Sequence, residues 1–509
     1  MRFDLSQISA LEATALLIFK RAVYVLEVSL TKHYVEQKVP RKEAPILRLE
    51  IIQKLSGIVG KDNIYTTLED LYCYTYDASF VKADIKRDLA GVAVYPGTTE
   101  EVAQILKLAN QEMIAVVPRG AGSNVSGGTI SIGDCIVLVL KRMNKILELD
   151  RKNLIAVVEP GVITGQLQSE VERVGLFYPP DPASQAFSTM GGNVAECAGG
   201  PRGVKYGVTR DYVIGLEVVL PTGEVINTGG RTIKNVTGYD MTKLFTGSEG
   251  TLCVITKIIV KLIPLPEAKS TMMAVFSEIE QACETVSEII AGGLVPCSLE
   301  LLDNIYIRNI EEYAKVGLPT EAGAVLLIEV DGDAEILGKQ IAKIEQICRR
   351  LGAVQIRVAK TKEEAEELWR ARRSAFAAVS RVKPTIIGED ATVPRSSIPI
   401  AVRRIQEIAT KYNIIIAILG HAGDGNLHAT ILTDETDLEE AARVEKAIDE
   451  IFVVTVELGG SLSGEHGIGR AKSKFITRQT GEVGLEVQHR IKQALDPNII
   501  LNPGVMFGA

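Results

Sequence analysis

The stretch Pro118-Arg119-Gly120-Ala121-Gly122-Ser123-Asn124-Val125-Ser126-Gly127-Gly128 decides the fold, because it is dense in glycine and follows a β-rich run at 114–118. Such a loop can turn successive backbone N–H groups toward one anion and form a nest for a diphosphate. The first rival is the dinucleotide fingerprint of doubly wound folds, which needs Gly-x-Gly-x-x-Gly opening a helix. Here Val125 stands at the third glycine position, and the next apolar run, 135–140, reads as a strand rather than a helix. The doubly wound reading fails on both counts.

Outward from this loop, short β-rich runs recur at 91–95, 155–159, 214–220 and 251–262, interrupted by helical patterns at 99–111 and 164–174. Pro264 and Pro266 punctuate the chain. Beyond them, helical stretches (279–291, 334–351, 362–381, 398–412) alternate with strands (324–330, 353–359, 414–419). That alternation predicts an antiparallel sheet covered by helices, an α+β layer. A helical region at 438–457 leads into a glycine-rich loop and a tail. The organisation expected is an N-terminal helical extension (1–46), a first α+β domain (47–266), a second domain (267–440) and a C-terminal segment (441–509) that returns to the first.

The formal charge of −8 over 509 residues argues against nucleic acid, whose phosphates reward basic patches. Seven cysteines (Cys73, Cys135, Cys197, Cys253, Cys283, Cys297, Cys348) are odd in number and scattered, with no Cys-x-x-Cys. This fits reduced thiols in a cytoplasmic protein, and it disfavours a cysteine-ligated iron–sulfur cluster within the chain. Near the N-terminus two apolar runs, 13–19 and 22–28, flank Lys20-Arg21, and neither reaches the ~20 residues that a bilayer span needs. They predict an amphipathic helix over 5–35. It packs either on its own protein or against a partner subunit or the membrane face, a peripheral placement.

Two further segments repeat the glycine pattern. One runs Pro179-Pro180-Asp181-Pro182-Ala183-Ser184, then Thr189-Met190-Gly191-Gly192-Asn193-Val194-Ala195-Glu196, then Ala198-Gly199-Gly200-Pro201 and Tyr206-Gly207; the other is Thr237-Gly238-Tyr239-Asp240 followed by Thr246-Gly247-Ser248-Glu249-Gly250-Thr251. Paired glycines are costly in a core unless something bulky must approach the backbone. Together these segments resemble the FAD-binding domain of the vanillyl-alcohol-oxidase/PCMH flavoprotein family, in its glycolate-oxidase-subunit and D-lactate-dehydrogenase branch, over roughly residues 50–509. The resemblance implies a PCMH-type domain of two α+β subdomains gripping an extended FAD, with a cap domain over the flavin ring. It places Pro118, Arg119, Gly120, Ala121, Gly122, Ser123 and Asn124 around the pyrophosphate. Pro180, Asp181, Ser184, Gly191, Gly192 and Asn193 would line the flavin, and Gly199, Tyr206 and Gly207 would continue that wall. Ile255 would sit near the adenine or ribose, and Asn502 would reach the cofactor from the tail. Covalent members carry a histidine where this chain has Ser123, so non-covalent FAD is expected. The family writes glycine where this chain has Cys253.

Three of the five histidines fall in two C-terminal motifs, Gly420-His421-Ala422-Gly423-Asp424-Gly425-Asn426-Leu427-His428 and Ser463-Gly464-Glu465-His466-Gly467. Two imidazoles and a carboxylate suit Zn²⁺, Mn²⁺ or Fe²⁺ with an open position; a hydrogen-bonded polar turn is the other reading of the same residues. The resemblance makes His421, His428 and Glu465 the metal ligands and His466 the base. A cation on the hydroxyl of a small 2-hydroxy acid lowers its pKa, and an imidazole titrating near ~6.5 is poised to take the proton. Arg372, within Leu368-Trp369-Arg370-Ala371-Arg372-Arg373, matches the substrate carboxylate, with a solvated basic helix face as the alternative. An acid at Glu389-Asp390, where a related branch acting on larger dicarboxylates places a lysine, disfavours a second anionic group on the substrate.

The expected function is therefore FAD-dependent dehydrogenation of D-lactate or glycolate. Electrons would pass to a protein acceptor, an electron-transferring flavoprotein or an iron–sulfur subunit. The alternatives are the flavin subunit of a larger complex, including an electron-bifurcating one, and a transferase like alkyl-dihydroxyacetone-phosphate synthase. A metal-dependent hydrolase leaves the glycine loops unexplained.

Overall fold

A computed structural model of the chain describes residues 47–508. The expected helix at 5–35 lies outside the described residues.

Among the described residues three large sheets stand beside a two-stranded pairing of Leu176–Phe177 with Ile263–Pro264, and the burial pattern of each strand explains its place. In the first, Val92–Val94, Ile136–Val139 and Val116–Arg119 run parallel, with Ile64–Tyr65 antiparallel at one edge. Val92, Val94, Ile136 and Leu138 meet the helices Leu49–Val59 and Thr99–Glu112, while Ala93, Val117, Val137 and Val139 pack on Leu71 and Tyr74. Both faces are covered, which is why these strands read as unbroken apolar runs. The Thr99–Glu112 helix starts where Thr98 accepts from the Glu101 amide and the Glu101 carboxylate accepts from the Gly97 amide, a reciprocal cap.

The second sheet is antiparallel, in the order Ile146–Asp150, Ile155–Val158, Val254–Lys261, Val213–Val219, Val225–Gly229. Its core includes Leu167, Met190 and Val194 from the helices Thr164–Glu172 and Met190–Glu196. The chain's end returns to the first sheet: Val116 donates to the Ile500 carbonyl at 2.7 Å and Asn502 donates to the Val116 carbonyl at 2.8 Å. Lys492, buried, fastens that tail by donating to the carbonyls of Thr251 and Leu501.

The third sheet has seven antiparallel strands: Ala353–Val358, Ala268–Phe276, Ala324–Gly332, Ser298–Asp303, Ile415–His421, Asn426–Thr433 and Thr385–Thr392. One face carries the helices Ile279–Ala291, Ala334–Arg350, Ile398–Tyr412 and Leu438–Glu457; the other carries Asn304–Ala314, Lys362–Arg373 and Ala375–Val379. This is the expected sheet with covering helices, within an α+β protein. Two details differ from the sequence reading. The helix Leu438–Glu457 buries Val444, Ile451 and Phe452 in the cap core, so the cap runs past residue 440. The single helix expected at 362–381 is two, although the backbone ladder continues through Ser374, whose amide donates to Arg370 and whose carbonyl accepts from Ala378.

Candidate functional site

A cleft opens where the two N-terminal subdomains meet. One wall is the loop Arg119 to Val125; the opposite wall is Pro182 to Ser184, Thr189, Gly191, Gly192 and Asn193; Gly250 and Cys253 to Ile255 close the floor. The glycines are steric requirements. A Cβ on Gly120 would lie 2.2 Å from Thr189 Oγ1, and one on Gly191 would lie 2.6 Å from Pro160 Cβ. Gly122 holds φ +72°, and a Cβ there would sit 2.3 Å from Arg119 Nη2. Arg119 is itself buried, donating to the carbonyls of Thr129 at 2.8 Å and Tyr76 at 2.9 Å. It therefore anchors the loop from behind. Among the described residues, the amides of Gly120, Ala121, Gly122 and Ser123 find no protein acceptor. Four consecutive free donors on a glycine loop suit a diphosphate, so the residues present fit the phosphate part of FAD.

The cleft holds most of the residues expected there: Pro118, Arg119, Gly120, Ala121, Gly122, Ser123, Asn124, Ser184, Gly191, Gly192, Asn193, Gly199 and Ile255. Five others stand behind it. The Pro180 carbonyl accepts from Gln168, and Asp181 pairs with Arg202 at 3.3 Å, its carboxyl raised to about 7 by burial. Tyr206 donates to Asp331 of the cap at 2.8 Å, and the neighbouring Gly207 holds φ +78° where a Cβ would also strike Asp211. Asn502 donates to the carbonyls of Gly128 and Glu249, so it ties the tail to two cleft loops.

The cap contributes Glu465 and His466 to the same cleft. His421 ends one strand and His428 lies three residues into the next, so the hairpin between them sets their rings 5.1 Å apart. Glu465 Oε1 is 3.1 Å from His421 Nε2 and 3.4 Å from His428 Nε2, and 3.9 Å from His466 Nε2. His421, His428 and Glu465 can offer three ligand atoms to one ion, as can Asp390, His428 and His466. Burial alone would depress the His421 imidazole, but the Glu300 and Glu465 carboxylates outweigh it and hold it well above its ordinary range. Burial likewise opposes ionisation of Glu465, yet His421 and His428 keep its carboxyl far below the usual range. His466 differs: burial dominates and lowers it to about 4, leaving a neutral ring.

Arg372 reaches this cluster indirectly. Its Nε donates to Glu300 Oε2 at 2.7 Å, and Glu300 Oε1 lies 2.7 Å from His421 Nδ1. Its terminal nitrogens have no partner among the described residues. Asp390 is the other organiser. Its Oδ2 accepts from Ser463 Oγ and from the amides of Gly464, Glu465 and His466 at 2.6–3.0 Å, and these donors together with the Lys472 ammonium hold it ionised against burial. It thus faces the loop backbone and Glu389 faces Lys472 at 3.8 Å, so the acids at 389–390 act on the protein.

Sequence reasoning missed Glu300, Asp390, Glu196 and Glu249. Glu249 clamps the amides of Ile468 and Gly469 at 2.7 Å each, with its carboxyl raised by burial to about 7. Glu196 lines the cleft and is pushed well above its ordinary value by burial and by Glu249. A signal exists for three of them: Glu196 and Glu249 lie within the glycine segments, and Asp390 stands out in the sequence only as a charge.

Comparison with known proteins agrees with this geometry. Residues 90–229 match the FAD binding domain family and residues 265–506 match the C-terminal domain of FAD linked oxidases. The chain is 48% identical to the glycolate oxidase subunit GlcD of Bacillus subtilis over 458 residues, covering 90% of this chain and 97% of that protein. It is 36% identical to a D-lactate dehydrogenase of Anaerostipes hadrus, covering 89% and 96%. Its fold matches p-cresol methylhydroxylase with a TM-score of 0.76 at 19% identity, over 91% of this chain and 98% of that one.

Proposed function

The chain belongs to the family of FAD-linked oxidases, and from that premise we propose that it dehydrogenates a small 2-hydroxy acid, D-lactate or glycolate, to the 2-oxo acid. One observation carries this reading. Glu465 and His466 line the flavin cleft while His421 and His428 stand directly behind Glu465, so a metal-type cluster and a free imidazole meet at one wall.

FAD bound in the cleft supplies the two-electron acceptor. The loop from Gly120 to Ser123 holds its diphosphate, and Ser123, which offers no imidazole for a covalent link, leaves the cofactor dissociable. A divalent ion (zinc, manganese or iron) held by His421, His428 and Glu465 would lower the pKa of the substrate hydroxyl. Arg372 orients the substrate through its carboxylate, using the terminal nitrogens that Glu300 leaves free. His466 accepts the hydroxyl proton at Nε2, the nitrogen nearer Glu465. Asp390 keeps that ring in place by holding the His466 amide and the three groups before it.

Electrons then leave to a protein acceptor, an electron-transferring flavoprotein or an iron–sulfur subunit. The seven cysteines are all unpaired and dispersed, and the Bacillus relative is itself named a subunit. No described helix is long and apolar enough to cross a membrane. Anaerobic bleaching of the flavin by a panel of D- and L-hydroxy acids, with and without chelator, tests the reading. Rapid bleaching by D-lactate or glycolate that chelator abolishes is expected. A flavin that none of them reduces contradicts it.

A further inference from the structure

Glu300 lies on the strand Ser298–Asp303, in direct register with His421 on the neighbouring strand. Its neighbours Leu299 and Leu301 face one helical layer of the cap, and Leu302 faces the other, beneath the helix that carries Arg372. Glu300 shares the face of Leu302 by strand alternation. It is wholly buried. A carboxylate removed from water is tolerated only when charged or hydrogen-bonding partners replace its hydration. Glu300 has two, one on each oxygen: His421 Nδ1 at 2.7 Å and Arg372 Nε at 2.7 Å.

We infer that Glu300 is a positioning residue that fixes the carboxylate-binding arginine and the first metal-binding histidine as one rigid unit. The inference rests on the reading of His421 as a ligand and Arg372 as the substrate's carboxylate partner. Because Nδ1–H donates to Glu300, a cation that displaces the other ring proton would meet His421 at Nε2, the atom that faces Glu465. Accepting from Arg372 Nε leaves the two terminal nitrogens of the guanidinium without a protein acceptor among the described residues. One carboxylate therefore sets where the hydroxyl end and the carboxylate end of a 2-hydroxy acid are held relative to each other. A glutamine cannot do both, because its amide nitrogen is a donor and would confront one of two donors.

The test uses the flavin-loaded full chain with Glu300→Gln, Glu300→Asp and Arg372→Lys, measuring Zn²⁺ and Mn²⁺ binding by titration and the KM for D-lactate and glycolate with a dye acceptor. Flavin content and melting temperature report folding. Glu300→Gln should weaken metal binding by about 10- to 100-fold, as expected for loss of a histidine's outer partner, and should also raise KM at least tenfold. Glu300→Asp should restore part of both losses, and Arg372→Lys should raise KM while leaving metal affinity within twofold. A folded Glu300→Gln protein with unchanged metal affinity and unchanged KM overturns the inference, as does a Glu300→Asp protein no better than Glu300→Gln. If the unsubstituted protein binds neither metal, the ligand reading falls by itself. The brace then stands or falls on whether Glu300→Gln and Arg372→Lys raise KM together.

Discussion

Around the cleft the chain removes side chains so that a ligand can reach the backbone, whereas on the cap it packs charged groups against one another. Gly120, Gly122 and Gly191 have no room for a methyl group. By contrast, Glu300, Asp390, Glu465 and His421 are held by partners that replace the water they have lost. The first kind of site fails on added volume whatever its chemistry; the second fails on lost charge with volume unchanged. The two should therefore come apart under substitution.

The largest expected effect separates them from the cleft side. Gly122→Val forces a β-branched residue to φ +72° and drives its Cβ against the buried Arg119 guanidinium. Purified protein should carry less than a tenth of the normal flavin by its visible spectrum, with metal binding to the cap cluster retained. Loss of both together would mean that the two sites are one folding unit.

Asp390→Ala breaks the comparison from the other side. It strips one acceptor from a hydroxyl and three amides of the 463–466 loop and leaves the nearby Lys472 without that countercharge. Breaking such a buried network costs about 3–5 kcal/mol. Turnover should fall at least a hundredfold while the flavin spectrum persists, and the melting temperature should drop. Retention of normal turnover would show that the loop is held by something else.

These outcomes bear on what a sequence can reveal. The first domain was legible because its strands are apolar on both faces and its glycine loops have no reason to exist without a large ligand. Val92–Val94, Ile136–Val139 and the cleft residues Gly120 and Gly191 all follow from those two signals. The cap was half legible. Ser298–Asp303, Thr385–Thr392 and Asn426–Thr433 carry Glu300, Asp390 and His428 inside strands, and such polar residues mask the alternation that marks a strand. Glu300 has no local signal at all, since its partners lie 72 and 121 residues away. Pro180, Asp181, Tyr206, Gly207 and Asn502 come to the cofactor by resemblance alone, since the contacts they make here are with protein groups beside the cleft.

The smallest expected effect concerns the cap scaffold. Asp303 caps the helix Asn304–Ala314 through the Tyr306 amide and accepts from Ile418, and burial raises its carboxyl to about 7. The unfolded chain ionises it near its ordinary value of 3.8. Between these values the folded state holds a proton that the unfolded state has lost, so this contribution is full below the lower value and vanishes as pH rises through 7. Asp303→Asn cannot titrate. Its melting temperature should therefore fall less between pH 5 and 8 than the wild type's, by about 2–4 °C. Parallel curves would assign that pH dependence to other buried carboxyls.

The most direct measurement of the central claim is the anaerobic rate of flavin bleaching by D-lactate or glycolate in a His466→Ala protein with full flavin content. If His466 takes the hydroxyl proton at the wall shared by the cleft and the cluster, that rate should fall by about 10²–10⁴, with the flavin spectrum unchanged. A rate within threefold of wild type would contradict the account.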